Sequence, residues 1–414
     1  MEEVFSMRIL IGVSGGIAAY KISDLVRLFV KDGHEVKTIL TENAKYFITP
    51  TTLETLSKNK CYTELFSSTK DVEHVELAKW ADLMVIAPAT ANIIGKIAGG
   101  ICDDLLTTVV MALDKPCYIF PAMNTKMFTH PAVNDNILKL REWGYVVYEP
   151  SDGELACGDT GKGRLPDVDL IYQIVIGEAE RSEIDSFLAN KNILITAGST
   201  KAYIDPVRYI ENGSSGLMGV ELVRQAWLRG AKVTLVCNKD VVEKFTWVNY
   251  YTEMTVLVET TEDVYKSVSG LFDNTDIYIS AGALCDFKND PRPQKIKKDG
   301  KDVTITLKPS IDVFSEISKA KKKQLMIGFA LETSDLERNA KEKLTSKGMD
   351  LIIANSVEAI DSSSSSAVII DSKGIRKYIK ESDKRVVAEE ILNEVEKFLV
   401  VKEIPKTKIT QEAH

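Results

Sequence analysis

The chain predicts an α/β protein built from two Rossmann-like domains, each with a parallel sheet covered by helices. Two observations carry that prediction. Two Gly-rich strand–loop–helix openings lie about half a chain apart: Met7–Val13 running into Ser14-Gly15-Gly16, and Asn192–Thr196 running into Ala197-Gly198-Ser199-Thr200. Around them, apolar runs alternate with amphipathic stretches, the pattern of strands joined by crossover helices. Both openings end an apolar strand in small residues, which let backbone amides approach a bound anion. One chain therefore offers two phosphate-ligand sites, which suggests two consecutive reactions on one phosphorylated metabolite.

In the first half, strands are expected at Met7–Val13, Glu35–Leu40, Leu83–Ala87, Pro116–Phe120 and near Tyr145–Val147. Helices are expected near Gly16–Lys31, Asp104–Leu113 and Pro131–Trp143, and a Gly-rich charged loop covers Glu149–Pro166. The polar stretch Glu178–Asn190 reads as a helix end and linker. The second half restarts at Asn192, with strands at Lys232–Val236, Asp276–Ser280, Gln324–Phe329 and Leu351–Ala354. Its helices fall near Gly219–Arg229, Thr261–Phe272, Ile311–Ala320 and Leu336–Ser346. Ser362–Ser366, the one low-complexity patch, reads as a flexible loop. A last helix near Lys384–Val400 precedes a polar tail. The domains that follow are 1–180 and 191–402, with a linker at 181–190 and a tail at 403–414.

Composition narrows the function. A length of 414 residues with 44% apolar content suits two or three domains with full cores. A net charge of −8 gives no electrostatic footprint for nucleic acid. No apolar run approaches the ~18 residues of a membrane span. The start, Met1-Glu2-Glu3, lacks the basic region of a signal peptide. The six cysteines form no CxxC pair and read as reduced thiols of a cytoplasmic protein. The four histidines are scattered, so a His-based metal site is not expected.

Candidate chemistry in the first half gathers at strand ends. Gly12–Gly16 is a phosphate loop or a plain tight turn; it is not GxGxxG and does not point to NAD. Pro88-Ala-Thr-Ala-Asn92 and Pro121-Ala-Met-Asn124 follow two further strands, where parallel sheets bind ligands. His74 is structural or catalytic. Cys157 lies among three glycines and two basic residues, a setting for a functional thiol, with packing as a small hydrophobe the alternative.

Together, Gly12–Lys21, His74, Pro88–Asn92, Pro121–Asn124 and Ala156–Arg164 resemble the flavin-containing cysteine decarboxylases, over about residues 7–170. More narrowly, they resemble the phosphopantothenoylcysteine decarboxylase half of the bifunctional coenzyme A biosynthesis enzymes. The resemblance implies FMN, held by Gly12, Ser14, Gly15, Gly16, Thr41, Pro88, Ala89, Thr90, Ala91 and Asn92. It also implies a trimer. Thr90 and Ile93 depart mildly from the family's Pro-Ala-Ser-Ala-Asn-Thr pattern. A cysteinyl amide loses CO₂ only after its thiol carbon is oxidised, which a flavin can do. By resemblance His74 is the base or positioner, Asn124 holds the substrate carboxylate, and Cys157 returns the proton.

The second half carries Ile204-Asp-Pro-Val-Arg208, where Asp205 and Arg208 are a structural brace or part of a site. Asn212-Gly-Ser-Ser-Gly216 is a phosphate or acyl cradle, or a helix cap. Ser280-Ala-Gly-Ala-Leu-Cys-Asp286, Gly328–Thr333 and Asp350–Asn355 end strands. Lys295–Lys298 is a solvated face or a phosphate contact, and Lys343 and Lys347 share one helix face.

These residues resemble the phosphopantothenate–cysteine ligase half of the same enzymes, over about 191–400. The resemblance implies that 4′-phosphopantothenate is activated by CTP as an acyl-cytidylate and captured by L-cysteine. Asp286, Lys295, Phe329, Lys343 and Lys347 match nucleotide-contacting positions, with Ser280, Ala281, Gly282, Lys308, Pro309, Ser310 and Ile311 lining the same site. Asn212 matches the residue that handles the acyl intermediate, and Lys295 the one that meets the α-phosphate. Mg²⁺ accompanies the triphosphate, without an identifiable carboxylate cage. Ligase dimers combined with decarboxylase trimers are implied, up to a dodecamer. Ser199, Ala202-Tyr203, Gly213 and Leu217 depart from the family pattern, the last two replacing Arg and Lys, which leaves ATP as the alternative nucleotide. An inactive flavin-binding regulator of the same fold is the rival reading.

Overall fold

The computed structural model describes residues 6–66, 72–156, 158–181, 184–298, 302–332, 335–356 and 362–403. The chain forms two compact units, 1–176 and 177–414, a division that falls inside the helix Val168–Arg181.

The first unit is built on β1 (Arg8–Val13), β2 (Glu35–Leu40), β3 (Cys61–Tyr62), β4 (Leu83–Ala89), β5 (Cys117–Pro121) and β6 (Val146–Val147). They pair in the order β3-β2-β1-β4-β5-β6, all parallel. The order reverses beside β1, so β1 and β4 flank a topological switch point, the place where open parallel sheets bind ligands at their strands' carboxyl ends. Both faces are covered, which is why the strands read as near-continuous apolar runs. Leu10, Met84, Ile86 and Ile119 pack against Ile93, Ile97, Leu106 and Val109 of the covering helices. Each such fully buried side chain contributes about 1.5–3 kcal/mol. A two-stranded hairpin, β7 (Ser151–Glu154) and β8 (Thr160–Arg164), replaces the loop expected at Glu149–Pro166.

The second unit holds β9 (Asn192–Ala197), a ribbon of β10 (Lys201–Tyr203) and β11 (Tyr209–Glu211), then β12 (Lys232–Cys237), β13 (Met254–Leu257) and β14 (Ile277–Ser280). A second ribbon of β15 (Phe287–Lys288) and β16 (Lys308–Pro309) precedes β17 (Leu325–Glu332), β18 (Leu351–Ser356), β19 (Ser364–Asp371) and β20 (Gly374–Asp383). The main sheet runs β13-β12-β9-β14-β17-β18-β19-β20. It is parallel through β18 and antiparallel beyond, because β19 and β20 form a hairpin on its edge. The five-serine loop expected at Ser362–Ser366 is corrected by this hairpin: Ser364–Ser366 open β19 and Ser365 is buried.

Several helices went unread in the sequence, among them Pro50–Ser57, Glu73–Trp80 and Ala91–Gly99. The helix expected at Gly16–Lys31 begins as a 3₁₀ turn, Ile17–Lys21, before the α-helix Ile22–Lys31. No described helix is long and apolar enough to cross a membrane.

Two candidate active sites

In the first unit the candidate residues gather at the carboxyl ends of β1, β2, β4 and β5. The Ser14 hydroxyl donates to the Pro88 carbonyl at 2.7 Å and accepts from the Thr90 amide at 3.0 Å. This single side chain ties the turn after β1 to the turn after β4, across the switch point. Thr90 in turn caps the helix Ala91–Gly99. The Thr41 amide donates to the Val13 carbonyl at 3.1 Å, which brings the end of β2 alongside. Gly15 is required by space: a Cβ there would lie 2.4 Å from Asn43 Cβ and 2.7 Å from its carbonyl carbon. Gly12 has a different task. It lies within β1, and a Cβ would lie 2.3 Å from Leu106 Cδ1, so the glycine leaves room for a core leucine. Pro88 and Ala89 are the last residues of β4, while Ala91 and Asn92 open the next helix.

Asn124 follows β5 and caps the short helix Thr125–Phe128, its carboxamide oxygen accepting from the Lys126 amide at 2.8 Å. That bond fixes the orientation of the side chain, so its NH₂ is the end offered to a ligand. His74 is the second residue of the helix Glu73–Trp80, which leads into β4. A helix before a parallel strand runs antiparallel to it, so its amino end lies at the ligand-binding edge of the sheet. Cys157 lies outside the described residues.

In the second unit a cavity of about 710 Å³ opens at the carboxyl ends of β14, β17 and β18. Asn212, Ser280, Ala281, Gly282, Asp286, Ser310, Ile311, Phe329, Lys343 and Lys347 all line it. They come from five separate stretches of chain, and the fold alone brings them together. One wall is the amino end of the helix Leu217–Leu228, whose N-cap residue Gly216 has no side chain to cap it, though Ser215 Oγ accepts from the Leu217 amide at 3.4 Å. Its first-turn amides and positive dipole end suit an anion. Gly219 lets this helix press on β9: a Cβ would lie 2.3 Å from that of Ala197.

Lys295, Lys308 and Pro309 do not line this cavity, contrary to the expectation from sequence. The β15–β16 ribbon carries the intervening chain away as an arm, and Lys295 lies in a separate cleft with Arg292 and Lys297. Lys308 pairs with Asp290 on the same arm. The turn Ile204–Arg208 braces that arm. The buried Asp205 carboxylate accepts from the amides of Val207, Arg208 and Ile296, at 2.8, 3.0 and 3.1 Å. Arg208 donates to the Ile296 carbonyl at 2.6 Å. Burial works against ionisation of Asp205, but these amides and Arg208 outweigh it and hold the carboxyl below its ordinary range.

The departures from the family pattern fall into two kinds. Ser199 is buried and donates to Glu211 at 2.5 Å, so it is absorbed by a local hydrogen bond. Ala202 and Tyr203 lie on β10, away from the cavity. Gly213 and Leu217 line the cavity itself and leave its wall without two cations. Sequence reading missed two further polar residues there, Asn355 and Lys384, both buried. The Asn355 signal was legible, since it ends a strand. Lys384 opens the last helix, and nothing local marks it. Among the described residues, no cluster of three His, Cys, Asp or Glu side chains could hold a metal.

A family of flavoproteins matches residues 2–180, and the DNA/pantothenate metabolism flavoprotein C-terminal domain matches residues 188–399. The chain is 41% identical over 359 residues to the coenzyme A biosynthesis bifunctional protein CoaBC of Bacillus subtilis strain 168, covering 85% of this chain and 86% of that protein. The chain belongs to the CoaBC family. The CoaBC protein of Borreliella burgdorferi is 41% identical over 391 residues, covering 93% of this chain and 97% of that one. Among solved structures, a cysteine-to-serine mutant of PPC decarboxylase complexed with pantothenoylaminoethenethiol is 37% identical, with a TM-score of 0.39, covering 42% of this chain and 99% of that one. The C-terminal domain of a CoaBC protein is 30% identical, with a TM-score of 0.42, covering 52% and 98%. As a CoaBC protein, the chain is a bifunctional protein of coenzyme A biosynthesis with a flavoprotein half and a ligase half.

Proposed function

We propose that the C-terminal unit joins 4′-phosphopantothenate to L-cysteine at the expense of CTP, through an acyl-cytidylate. The N-terminal unit then decarboxylates 4′-phosphopantothenoylcysteine to 4′-phosphopantetheine with FMN. The observation that carries this reading is the convergence of Asn212, Asp286, Phe329, Lys343 and Lys347 on one cavity.

In the ligase site, Lys343, Lys347 and the amino end of the helix Leu217–Leu228 attract the triphosphate. Mg²⁺ arrives with the nucleotide, and Lys384 adds positive charge where Gly213 and Leu217 supply none. Phe329 offers an apolar wall. Asn212 donates to the Leu284 carbonyl at 2.9 Å, which fixes its carboxamide at the cavity edge beside the acyl group. Lys295 is assigned the charge on the α-phosphate and has to reach it from the arm.

In the decarboxylase site, Ser14, Gly15, Gly16, Thr41 and Pro88–Asn92 form a cradle of small residues that fits FMN. Bound FMN would supply a hydride acceptor and donor. His74 holds or moves the proton of the substrate thiol. Asn124 orients the substrate carboxylate with N–H donors and no charge of its own, so the carboxylate is not stabilised against departure as CO₂. Cys157 returns a proton to the substrate carbon. The protein assembles as decarboxylase trimers and ligase dimers and works in the cytoplasm.

The test is a reaction of the purified protein with 4′-phosphopantothenate, L-cysteine, Mg²⁺ and either CTP or ATP, followed by mass spectrometry. CTP should give 4′-phosphopantothenoylcysteine and pyrophosphate. Equal yields with ATP would overturn the CTP assignment, and no product with either would overturn the ligase reading.

A further inference from the structure

The decarboxylase site holds a contact that the chemistry above does not use. The Asn124 side-chain NH₂ donates to the Asp159 carboxylate at 3.1 Å. Two neighbouring features make this a constructed contact rather than a meeting of two loose side chains. The first is the fixed polarity of Asn124, whose oxygen is taken by the Lys126 amide at 2.8 Å, leaving the donor end outward. The second is the seat of the hairpin that carries Asp159. The Met123 amide donates to the Gly163 carbonyl at 2.9 Å, directly beside Asn124.

The glycines of β8 make that seat possible. A Cβ on Gly163 would lie 2.1 Å from the Met123 carbonyl oxygen, and one on Gly161 would lie 2.9 Å from Thr125 Oγ1. The turn is closed by the Leu155 amide donating to the Asp159 carbonyl at 2.8 Å. Asp159 is thus held at the very amide assigned to the substrate.

We propose that Asp159 is a specificity-determining residue of this site. Its carboxylate occupies the Asn124 amide until the carboxylate of the substrate displaces it, and it returns once that carboxylate has gone. The inference rests on the decarboxylase reading of the N-terminal unit. Its logic is exclusion. A second carboxylate brought to the same NH₂ competes with Asp159 for its N–H donors, and like charges at close range repel. A ligand bearing a carboxylate must therefore displace Asp159 or bear the repulsion. A decarboxylated ligand does neither. Asp159 thereby weakens the binding of a ligand that carries the carboxylate and leaves that of the decarboxylated one unchanged.

The test uses full-length, FMN-loaded protein and two unreactive ligands that differ only in the carboxylate. These are 4′-phosphopantothenoyl-L-serine and 4′-phosphopantothenoyl-ethanolamine, neither of which has a thiol to oxidise. Affinities are measured by calorimetry for the wild type, Asp159→Asn and Asp159→Ala, with flavin absorbance reporting an intact site. An amide at 159 accepts a weaker hydrogen bond and carries no charge. Both variants should bind the serine ligand about fivefold tighter or more, with the ethanolamine ligand unchanged. Weaker binding of the serine ligand, or the same change for both ligands, overturns the proposal. If the wild type binds neither ligand, the decarboxylase reading fails, and the role of Asp159 fails with it.

Discussion

Lys347 stands with its ammonium 2.9 Å from the carboxylate of Asp312, and both side chains line the ligase cavity. Asp312 also caps the helix Val313–Ser318, accepting from the Ser315 amide at 3.1 Å. Burial opposes its ionisation, but Lys347 and Ser315 together hold the carboxyl below its ordinary range. Lys347 is therefore pre-positioned by a partner that must share it with an incoming phosphate. Lys347→Met should raise the KM for CTP about tenfold, the loss of one charge-assisted hydrogen bond, with kcat little changed. Asp312→Asn should lower that KM, because it frees the ammonium. Pyrophosphate release at varied CTP checks both.

The arm that bears Lys295 depends on Asp205, and that dependence carries a pH signature. A carboxyl whose pKa is lowered by folding contributes stability above its unfolded value of about 3.9 and loses it as pH falls through the lower folded value. Asp205→Asn should therefore lower the thermal midpoint of the C-terminal unit at pH 7. The difference from wild type should shrink as pH falls below about 4. A difference that stays constant across that range would mean the variant acts through packing rather than charge.

Lys295 and Asn212 are assigned to different halves of the ligation. Lys295→Gln should suppress pyrophosphate release even without cysteine, by about 3–4 kcal/mol of transition-state stabilisation at full effect. Asn212→Asp should still release pyrophosphate but let the acyl-cytidylate accumulate, because the added carboxylate repels the incoming cysteine carboxylate. Mass spectrometry of early-stopped reactions separates the two. Accumulation in the Lys295 variant instead would reverse the assignments.

Gly15 offers a test of the flavin cradle that spares the ligase. A Cβ at this position meets Asn43 backbone and cannot be relieved by a side-chain rotation. Gly15→Ala should leave flavin absorbance below about a tenth of wild type, a shift of at least about 1.4 kcal/mol in binding. Pyrophosphate release in the ligase half should be unchanged.

Apart from the short edge strands β3 and β13, which went unread, the parallel strands of both sheets were legible as apolar runs, a signal local to the chain. The β19–β20 hairpin was not. Its first residues are serines, and the burial of Ser365 among them comes from strand pairing rather than from its own polarity. Most of the ligase cavity was legible for the same local reason, since Ser280–Gly282 end and follow β14 and Asn355 lies at the end of β18, while Phe329, expected to end its strand, lies inside β17. Lys295 was expected by resemblance among the nucleotide-contacting positions, and the β15–β16 ribbon places it in a separate cleft on the arm, an excursion that no local signal in the sequence marks. Lys384 and the Asn124–Asp159 contact depend on tertiary docking, which no spacing in the sequence encodes.

The most direct test of the whole reading couples the two sites in one reaction. Full-length protein with FMN is given 4′-phosphopantothenate, Mg²⁺, CTP and L-cysteine labelled in its carboxyl carbon, and labelled CO₂ and pyrophosphate are measured together. The two should appear in equal final amounts, with 4′-phosphopantetheine as product, and neither should form when CTP or 4′-phosphopantothenate is left out. Labelled CO₂ without nucleotide, or pyrophosphate accompanied by 4′-phosphopantothenoylcysteine that is never decarboxylated, would contradict it.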